Sequence, residues 1–401
     1  MTRLAAKRVL MVDPGNYTPY YDVNLCDALI EQGWNVELLT SPYMFESIEP
    51  PSRVPVRNLF LRGATALIRR WRWISGIPKM RSGIKAISYP FDLMRLDREL
   101  ASRSPAVLHV QWALLPALDA FFWKRWQKKG WKIIYTAHDV DGLDGTTPRL
   151  LVGTNRHLFR LADAVATHSE RDRAQIIRLG APPSRVTRLP QGTPGIFQSP
   201  SVDREDARRA LDIDSTRPTI LFFGLLKGYK RLETLLHSMV RVRGNIPDVL
   251  LLIVGKPLAS CDDYTRLIER LGLAETVRWN PAYIPSSRVG LHFASADVVA
   301  LPYRAASSSA VLLNAFAHAR PVVATTVGGF PEMIEHGRTG LLVPPDAPAE
   351  LADALVSLLR NPETARVMGQ RAREYATTHH EWPLIGQLTA KIYDTVQCSA
   401  R

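Results

Sequence analysis

The sequence predicts an α/β protein built from two doubly wound domains. Short runs rich in β-branched residues alternate with longer helical patterns along the chain, which is typical of parallel sheets. The length of 401 residues exceeds one ordinary hydrophobic core. A stretch rich in Gly, Pro and Ser, Gln191–Val202, separates two blocks of this pattern. These observations favour two domains, each with its own parallel sheet.

The strands are predicted from short apolar runs that end near glycine, proline or polar residues. In the first block they are Arg8–Asp13, Asn35–Thr40, Val107–Gln111, Lys132–Ala137, Ala164–His168 and Arg185–Leu189. In the second block they are Thr219–Gly224, Asp248–Gly255, Thr276–Asn280, Asp297–Pro302, Pro321–Thr325 and Gly340–Val343. Helical patterns such as Tyr20–Gly33, Leu114–Gly130 and Glu170–Gly180 lie between them.

We therefore expect an N-terminal domain over residues 1–195 and a C-terminal domain over residues 196–377. The last segment, 378–401, is expected to form a further helix after the helical pattern of Pro362–Thr378. The pattern leaves open whether this helix packs back on the N-terminal domain.

Composition points to an anionic partner and a reducing compartment. Lys and Arg total 51 against 38 Asp and Glu, a net charge of +13, which suits nucleic acid, nucleotide phosphate or an acidic membrane surface. Cys26, Cys261 and Cys398 are scattered and form no CxxC pair, so neither a disulfide framework nor a zinc site is expected. No secretory signal and no membrane-spanning run is evident. We expect a cytoplasmic protein, either free or attached to the inner face of the cell membrane.

The segment Ala296–Glu332 predicts a site for a phosphorylated small molecule. An apolar strand is followed by a small-residue loop, Ala305–Ala310, and by the helix-like Val311–Ala319; a second strand ends in Gly328-Gly329. Such turns direct unpaired backbone N–H groups and the positive end of a helix toward one point.

A second corner, after the run Thr219–Phe223, carries cations at the start of a helix. Lys227, Lys230 and Arg231 follow Gly224. Cations at a helix N-terminus oppose its dipole unless an anion is present. A diphosphate would remove this conflict, with Lys227 and Lys230 as its natural partners. The alternative is a solvated basic turn.

Together, FFGLLKGYKRLETLL and the later LPYR…SSSAVLLNAFAHARPVVATTVGGFPE resemble the family 4 glycosyltransferases. The first half adds a glycine-bearing turn at Asp13–Asn16, YTAHD with His138-Asp139, and LPQG at Leu189–Gly192. The resemblance implies the GT-B arrangement, in which two Rossmann-like domains face a central cleft. It also implies a nucleotide-diphosphate sugar donor and transfer with retention of anomeric configuration.

The family's donor residues carry over as follows. Lys230 matches the lysine that holds the diphosphate and acts in catalysis, and Lys227 supplies the charge of an arginine that Leu225 replaces here. Ser309-Ala310, preceded by Ser308, stands where a related branch offers a hydroxyl and backbone N–H groups to phosphate.

The usual pair of glutamates falls at Ala306 and Asn314, so both carboxylates are absent. Asn314 can still bind a ribose hydroxyl. The resemblance places the nucleobase near Gly255, Tyr283 and Ile284; Tyr283 either stacks on the base or packs in the core.

The first half supplies the remaining candidates. His138 matches a family histidine near the donor sugar, where it would bind a hydroxyl or the developing charge. Gly15, Asn16 and Tyr17 would face the acceptor. Asp139, Asp141 and Asp144 could hold a metal, but DVDGLDG is first a turn sequence, so we expect neither a metal nor a cofactor. No side chain suggests a protein nucleophile, which favours front-face attack with the donor phosphate as base.

The stretch Leu61–Lys85 interleaves Lys and Arg with Trp71, Trp73 and aliphatic residues and contains no acid. This mixture suits the surface of an anionic bilayer. A face that attracts nucleic acid and an ordinary amphipathic surface helix are the alternatives. Membrane contact would fit a lipid-linked acceptor in surface polysaccharide synthesis.

Three functions follow from these patterns. The first is a retaining glycosyltransferase that uses a nucleotide-diphosphate sugar and a saccharide or lipid-linked acceptor. The second, motivated by Ala306 and Asn314, is a catalytically weak module that binds sugar nucleotides. The third, a nucleic-acid-binding protein, rests on net charge alone, and because no recognition module is evident we expect no nucleic-acid partner.

Overall fold

The computed structural model describes residues 7–43, 53–70, 78–140, 149–193, 202–257 and 262–398. The chain divides into two compact units. The first contains the residues up to Gly192 together with the segment that begins at Trp382, and the second runs from Thr193 to Glu381.

The first unit is built on a parallel sheet that is buried on both faces. Its described strands are β1 (Arg8–Asp13), β2 (Asn35–Thr40), β3 (Val56–Asn58), β4 (Val107–Val110), β5 (Lys132–Ala137), β6 (Ala164–Thr167) and β7 (Val186–Arg188). Their order across the sheet is β3-β2-β1-β4-β5-β6-β7. In β1, Val9 and Met11 pack in one apolar cluster, while Leu10 and Val12 pack in another. Apolar cores on both faces are the environment that parallel sheets require.

The described helices of the first unit are α1 (Pro19–Glu31), α2 (Arg62–Arg70), α3 (Pro78–Ala101), α4 (Pro116–Lys128), α5 (Arg149–Leu161), α6 (Glu170–Arg178) and, from the end of the chain, α15 (Trp382–Cys398).

The C-terminal helix α15 packs on α1. A Cβ atom at Gly386 would lie 2.8 Å from the carbonyl oxygen of Ala28, so the two helices approach closely. The hydroxyl of Tyr393 lies 2.6 Å from Nδ1 of His109, and its ring meets Trp34 edge-on. The C-terminal segment is therefore part of the core of the first unit.

The second unit has its own parallel sheet. The described strands are β8 (Thr219–Phe223), β9 (Leu250–Val254), β10 (Val277–Asn280), β11 (Val298–Leu301), β12 (Val322–Thr325) and β13 (Leu341–Val343), in the order β10-β9-β8-β11-β12-β13. The described helices are α7 (Arg204–Ala210), α8 (Leu232–Asn245), α9 (Asp262–Arg270), α10 (Ser286–Ser295), α11 (Ala310–Ala317), α12 (Phe330–Met333), α13 (Pro348–Arg360) and α14 (Pro362–His379). Apolar side chains of this sheet and of the helices packed on it form one continuous core.

The predicted strands all occur, with ends that differ by at most two residues. The prediction missed β3, a strand of three exposed residues at the edge of the sheet, because it has no apolar run or alternation. Parts of the predictions for Gln191–Val202, Leu61–Lys85 and the acidic cluster lie outside the described residues, as do Trp71, Trp73, Asp141, Asp144 and Cys261. Among the described residues, no helix has both the length and the apolar character needed to cross a bilayer.

Candidate active site

Each sheet has a point at which the strand order reverses. In the first unit β1 lies beside β4, and in the second unit β8 lies beside β11. Ligands of doubly wound sheets bind beyond the carboxyl ends of the strands at such points. Most of the candidate residues lie in the loops that follow these strands or their neighbours.

The corner after β8 carries the two candidate lysines. Gly224 has a φ angle of +101°, and a Cβ atom there would lie 2.7 Å from Nζ of Lys230. Lys230 is buried, and its Nζ donates to the carbonyl oxygen of Phe223 at 3.3 Å. Lys227 is half-buried, with Nζ 5.9 Å from the centre of the Tyr229 ring. Position 224 therefore requires glycine for two reasons: the backbone has a positive φ angle, and a side chain would collide with Lys230.

The third cation of this turn is neutralised within the protein. Nε of Arg231 lies 2.6 Å from Oδ1 of Asp346, and Nε of Arg304 lies 3.5 Å from the other oxygen of the same carboxylate. Arg231 is therefore not a candidate for binding an anion, which leaves the two lysines.

The structure brings the lysine corner into contact with the loop after β11. Nζ of Lys230 lies 5.4 Å from the centre of the Tyr303 ring, and Tyr303 meets Tyr229 edge-on at 5.7 Å. The backbone N–H of Arg304 donates to the carbonyl oxygen of Tyr229 at 2.7 Å. The two corners that the sequence singled out therefore form one continuous surface within the second unit.

The serine loop begins helix α11. Oγ of Ser309 caps this helix by accepting a hydrogen bond from the N–H of Leu312 at 3.3 Å, which leaves its hydroxyl proton able to donate. Ser308 is half-buried and Ala310, the first residue of the helix, is exposed. Ser307 is buried, and its Oγ has no hydrogen-bond partner within the described residues. The loop thus presents hydroxyl groups and the N–H groups of a helix start.

Asn314 and Ala306 replace the two carboxylates expected from the resemblance. Asn314 is buried, and its Nδ2 donates to the carbonyl oxygen of Ala310 at 2.9 Å. Its Oδ1 has no hydrogen-bond partner in the described part of the chain. Ala306 packs in the apolar core, and its carbonyl oxygen accepts from the N–H of Gly329 at 3.3 Å. Only Asn314 offers a side-chain acceptor to a ligand.

The candidates for base binding lie near the ends of β9 and β10. Gly255 has a φ angle of +148°, and a Cβ atom there would lie 2.0 Å from the carbonyl oxygen of Gly224. Close approach of the two loops therefore requires glycine at position 255. Tyr283 and Ile284 are both half-buried, and Ile284 packs against the apolar core.

In the first unit, Asp13 organises the turn after β1. Its Oδ1 accepts from the N–H groups of Gly15 at 2.9 Å and Asn16 at 2.8 Å. Asn16 has a φ angle of 49°, and its side-chain amide donates to the carbonyl oxygen of Ser41 at 2.6 Å. Tyr17 follows with an exposed ring. Burial raises the pKa of Asp13, and burial followed by the nearby charge of Asp13 raises that of Asp22. Asn16 therefore serves the turn itself, and Tyr17 is the residue available to a ligand.

His138, at the end of β5, has both ring nitrogens engaged by the protein. Nε2 lies 2.9 Å from the amide oxygen of Gln111, and Nδ1 lies 3.0 Å from Nε2 of His168. The ring stacks on Trp112 at 4.9 Å and meets Tyr21 edge-on at 5.0 Å. Burial, and then the neighbouring histidines, hold the pKa of His138 well below its ordinary value. The imidazole is therefore neutral at physiological pH, and a ligand would have to displace one of these partners to form a hydrogen bond with it.

The tautomers of His138 and His168 follow from the contact between His168 and the backbone of Leu189. Nδ1 of His168 lies 2.9 Å from the carbonyl oxygen of Leu189, so this nitrogen carries the proton. Nε2 of His168 then accepts from Nδ1–H of His138, which leaves Nε2 of His138 as an acceptor. Because an acceptor needs a donor opposite, the amide of Gln111 satisfies Nε2 of His138 only if it turns its nitrogen away from Sδ of Met11, to which that nitrogen lies at 2.9 Å.

Sequence reasoning missed several residues of the first-unit site. Gln111 and His168 were assigned to strands, and Trp112, Tyr21 and Asp13 were not singled out. The rule that ligands bind beyond strand ends would have pointed to Gln111 and Trp112, since both directly follow β4. Tyr303 directly follows Pro302 after β11 and was missed in the same way.

Two family models match the chain. A glycosyl transferase 4-like domain matches residues 21–192, and the glycosyl transferases group 1 model matches residues 217–361. A D-inositol 3-phosphate glycosyltransferase of Corynebacterium glutamicum is 30% identical over 284 residues, which cover 66% of this chain and 68% of that protein. The corresponding enzyme of Mycobacterium bovis is 32% identical over 61% of this chain and 53% of its own length.

Solved structures share the fold over almost the whole chain. Sucrose-phosphate synthase from Thermosynechococcus elongatus superposes with a TM-score of 0.75 at 20% identity, covering 98% of this chain and 99% of that chain. Anabaena HepE in complex with UDP-glucose also gives a TM-score of 0.75, at 17% identity and the same coverage.

The two matched models together span both units, and the fold agrees with structures of this class. The chain therefore belongs to the glycosyltransferases of group 1 and the 4-like type, with the two Rossmann-like domains of the GT-B fold.

Proposed function

We propose that this glycosyltransferase transfers a sugar, with retention of configuration, from a nucleotide-diphosphate sugar to a saccharide or lipid-linked acceptor of surface glycan synthesis. The observation that carries the proposal is the contact between the lysine corner and the loop after β11. Lys230 lies against Tyr303, and the backbone of Arg304 bonds to Tyr229.

This surface suits a diphosphate that leaves with growing negative charge. Lys230 and Lys227 supply positive charge, and Ser308, Ser309 and Ala310 supply hydroxyl and N–H donors at the start of α11. Such groups stabilise a leaving phosphate without proton transfer. The unpartnered Oδ1 of Asn314 can accept from a ribose hydroxyl in place of a glutamate. HepE was crystallised with UDP-glucose, which makes a uridine nucleotide the first donor to test.

Retention is proposed to proceed by front-face attack. Asp346, a carboxylate beside the lysine corner, is ion-paired with Arg231 and Arg304, and Ala306 provides no carboxylate. A donor phosphate oxygen can take the acceptor proton in such a site. Proton NMR of the first-formed product settles the point: an anomer opposite to that of the donor would overturn retention.

Donor binding is tested by thermal shift with UDP, GDP and ADP. We expect one nucleotide to raise the melting temperature, since a ligand that binds only the folded state stabilises it by mass action. Lys230→Met and Lys227→Met should remove most of the shift. Lys124→Met, an exposed lysine of the first unit, should leave it unchanged. Equal shifts in all four proteins would contradict the proposed diphosphate site.

The alternative of a weak binding module rests on Ala306, whose side chain lies in the core and offers nothing to a sugar. A nucleotide-induced shift without transfer or donor hydrolysis, over a panel of donor sugars and saccharide acceptors, would favour it.

Contact with an anionic membrane is proposed for helices α2 and α3. Ile87 and Phe91 are 71% and 66% exposed, and with Met94 they form a stripe along one face of α3. The exposed cations Arg62, Arg70, Arg95 and Arg98 lie on the same two helices. Exposed apolar side chains beside cations suit the surface of an anionic bilayer. Attachment of this kind would place the enzyme at the inner face of the cell membrane.

Vesicle sedimentation tests this surface. We expect binding to vesicles that contain phosphatidylglycerol and loss of binding in the double variant Ile87→Asp/Phe91→Asp. Val240→Asp changes an exposed apolar residue of the second unit and should have no effect. Equal binding by all three proteins would exclude these helices as the contact.

A further inference from the structure

A cavity of about 520 Å³ opens in the second unit at the amino ends of its strands. Pro218 precedes β8, Asp297 precedes β11 and Pro321 precedes β12, and all three line this cavity. The lysine and serine corners follow the carboxyl ends of the same strands. The cavity is therefore separate from the proposed diphosphate site, which lies at the opposite ends of the same strands.

Three arginines, Arg204, Arg208 and Arg320, lie around the carboxylate of Asp297 in and beside this cavity, and the carboxylates of Asp203 and Asp214 also act on this group. Nη2 of Arg204 lies 2.7 Å from Oδ1 of Asp297, and Nη2 of Arg208 lies 2.8 Å from Oδ2. The backbone N–H of Thr219 also donates to Oδ2 at 2.8 Å. Both oxygens of Asp297 thus accept hydrogen bonds from groups other than the third arginine, Arg320.

Arg208 has a structural role. It is buried, its Nε donates to the carbonyl oxygen of Ser295, and its Nη1 donates to backbone oxygens of Asp214, Ser215 and Arg217. Its donors are directed into the protein, so Arg208 is not a ligand-binding candidate.

Arg320 differs from Arg208 because its hydrogen bonding is incomplete. Nη1 donates to the carbonyl oxygen of Ala296 at 3.1 Å, whereas the enclosed Nε has no hydrogen-bond partner within the described residues. Burial lowers the pKa of Arg320 to about 10, so the side chain stays charged at neutral pH. A buried donor of a charged group that lacks an acceptor destabilises the protein. Arg320 also lines the cavity, so an anion bound there would lie beside its charged guanidinium group.

The remainder of the wall is mainly apolar. Leu358 and Leu359 at the end of α13 and Pro362 and Ala365 at the start of α14 contribute to it. Arg366 at the same wall is exposed, and its guanidinium is paired with Glu363 at 2.6 Å. The inner charge at Arg320 and the apolar wall together favour a ligand with one anionic end and an apolar body.

We propose that this cavity binds a small organic anion, with its phosphate or carboxylate head against Arg320 and Arg204 and its apolar body against Leu358 and Leu359. The site is independent of donor binding and does not rest on the proposed transfer reaction.

Isothermal titration with phenyl phosphate tests the proposal, since this probe combines an anionic head with an apolar ring. We expect saturable binding with one site at this cavity, tighter than that of inorganic phosphate and absent with the neutral analogue benzyl alcohol. Benzoate distinguishes a carboxylate head from a phosphate head, and tighter binding of either one identifies the preferred class.

Four variants locate the binding. Arg320→Met keeps the apolar stem and should weaken phenyl phosphate at least tenfold. Gln370→Trp fills the cavity from an exposed position without touching the core and should also abolish binding. Arg366→Ala removes a paired outer charge and should bind as the unmodified protein does. Lys230→Met removes a charge of the diphosphate site and should leave this binding intact.

Two outcomes overturn the inference. If Lys230→Met abolishes phenyl phosphate binding while Arg320→Met and Gln370→Trp retain it, the probe occupies the diphosphate site. If phenyl phosphate binds no more tightly than benzyl alcohol, the cavity does not select anions. Unliganded melting curves of Gln370→Trp check its fold, so a loss of binding in a folded Gln370→Trp protein remains informative even if Arg320→Met unfolds.

Discussion

Nε2 of His168 lies 3.0 Å from Nδ1 of His138, and this contact decides which nitrogen of His138 can act on a ligand. Because the carbonyl oxygen of Leu189 fixes the proton on Nδ1 of His168, Nδ1 of His138 must donate. Nε2 of His138, opposite Gln111, is left as the acceptor. If His138 binds the donor sugar as proposed, a sugar hydroxyl would displace Gln111, while His168 keeps the ring in place.

We predict that His168→Leu lowers the rate of sugar transfer about ten- to hundredfold, because a lost acceptor costs about 1–3 kcal/mol. His168→Gln is the matched control, since its amide oxygen can replace the lost ring nitrogen, and it should retain most of the activity. Long-range nitrogen–proton NMR reports the tautomer directly. A protonated Nε2 at His138 in the unmodified protein would contradict this assignment.

Stability should depend on pH through the same residue. Burial lowers the pKa of His168 to about 4, against 6.5 when unfolded, so the unfolded chain takes up the proton first. The contribution of the neutral side chain to the free energy of unfolding is therefore present above pH 6.5 and is lost as the pH falls from 6.5 toward 4. The loss approaches about 1.4 kcal/mol per pH unit for one such group. His168→Gln should remove the share of this residue, so that the free energy of unfolding in urea falls less steeply between pH 6.5 and pH 4 than in the unmodified protein; parallel curves for the two proteins would rule out the contribution.

The contact of Gly328 with the Ala306 loop predicts a steric requirement. A Cβ atom at Gly328, where φ is +54°, would lie 1.3 Å from the carbonyl oxygen of Ala306. We expect Gly328→Ala to lower the free energy of unfolding by more than about 3 kcal/mol, since the loop must move. Gly337 also has a positive φ, +78°, but has no atoms within 4 Å of such a Cβ. Gly337→Ala should therefore cost only about 1–2 kcal/mol, and equal losses in urea unfolding would argue against the overlap.

Tyr17 and Trp112 predict where an acceptor saccharide binds. The exposed ring of Tyr17 meets Trp112 edge-on at 5.3 Å, and Trp112 stacks on His138. Aromatic faces bind the apolar face of a sugar, and contacts of this size contribute about 0.5–1.5 kcal/mol. Tyr17→Leu should thus raise the KM for a saccharide acceptor roughly three- to tenfold and leave the donor KM unchanged. Phe121→Leu alters an equally exposed ring of the same unit and is expected to have no effect; a rise in the donor KM of Tyr17→Leu would refute the assignment.

Local patterns predicted much of this structure. The strands Lys132–Ala137 and Asn35–Thr40 were both predicted with the correct ends because short groups of apolar residues, Ile133–Tyr135 and Leu38–Leu39, mark them in the sequence. The corners at Lys230 and Ser309 were predicted because a charge conflict and a helix start are local properties. The ion pair that neutralises Arg231 could not be predicted in the same way, since its partner Asp346 is far away in the sequence.

Contacts between distant segments were beyond prediction. Arg204, Asp297 and Arg320 meet only because β8, β11 and β12 begin at one edge of a sheet. His138 and His168 directly follow neighbouring strands, and their ring contact depends on rotamers that no periodicity encodes. The edge strand β3 lacks a pattern because it faces solvent on every residue.

Helix α15 packs on α1 and so belongs to the first unit, although it lies at the end of the sequence. The polypeptide therefore crosses from one unit to the other twice, after Gly192 and after Glu381. A fragment that stops at Gly192 would expose the apolar face on which Tyr393 and Ile385 lie, and would be expected to aggregate. The amino-terminal half can be isolated only if Trp382–Cys398 is rejoined to it, whereas the carboxyl-terminal half can be excised between Thr193 and Glu381 as one uninterrupted piece.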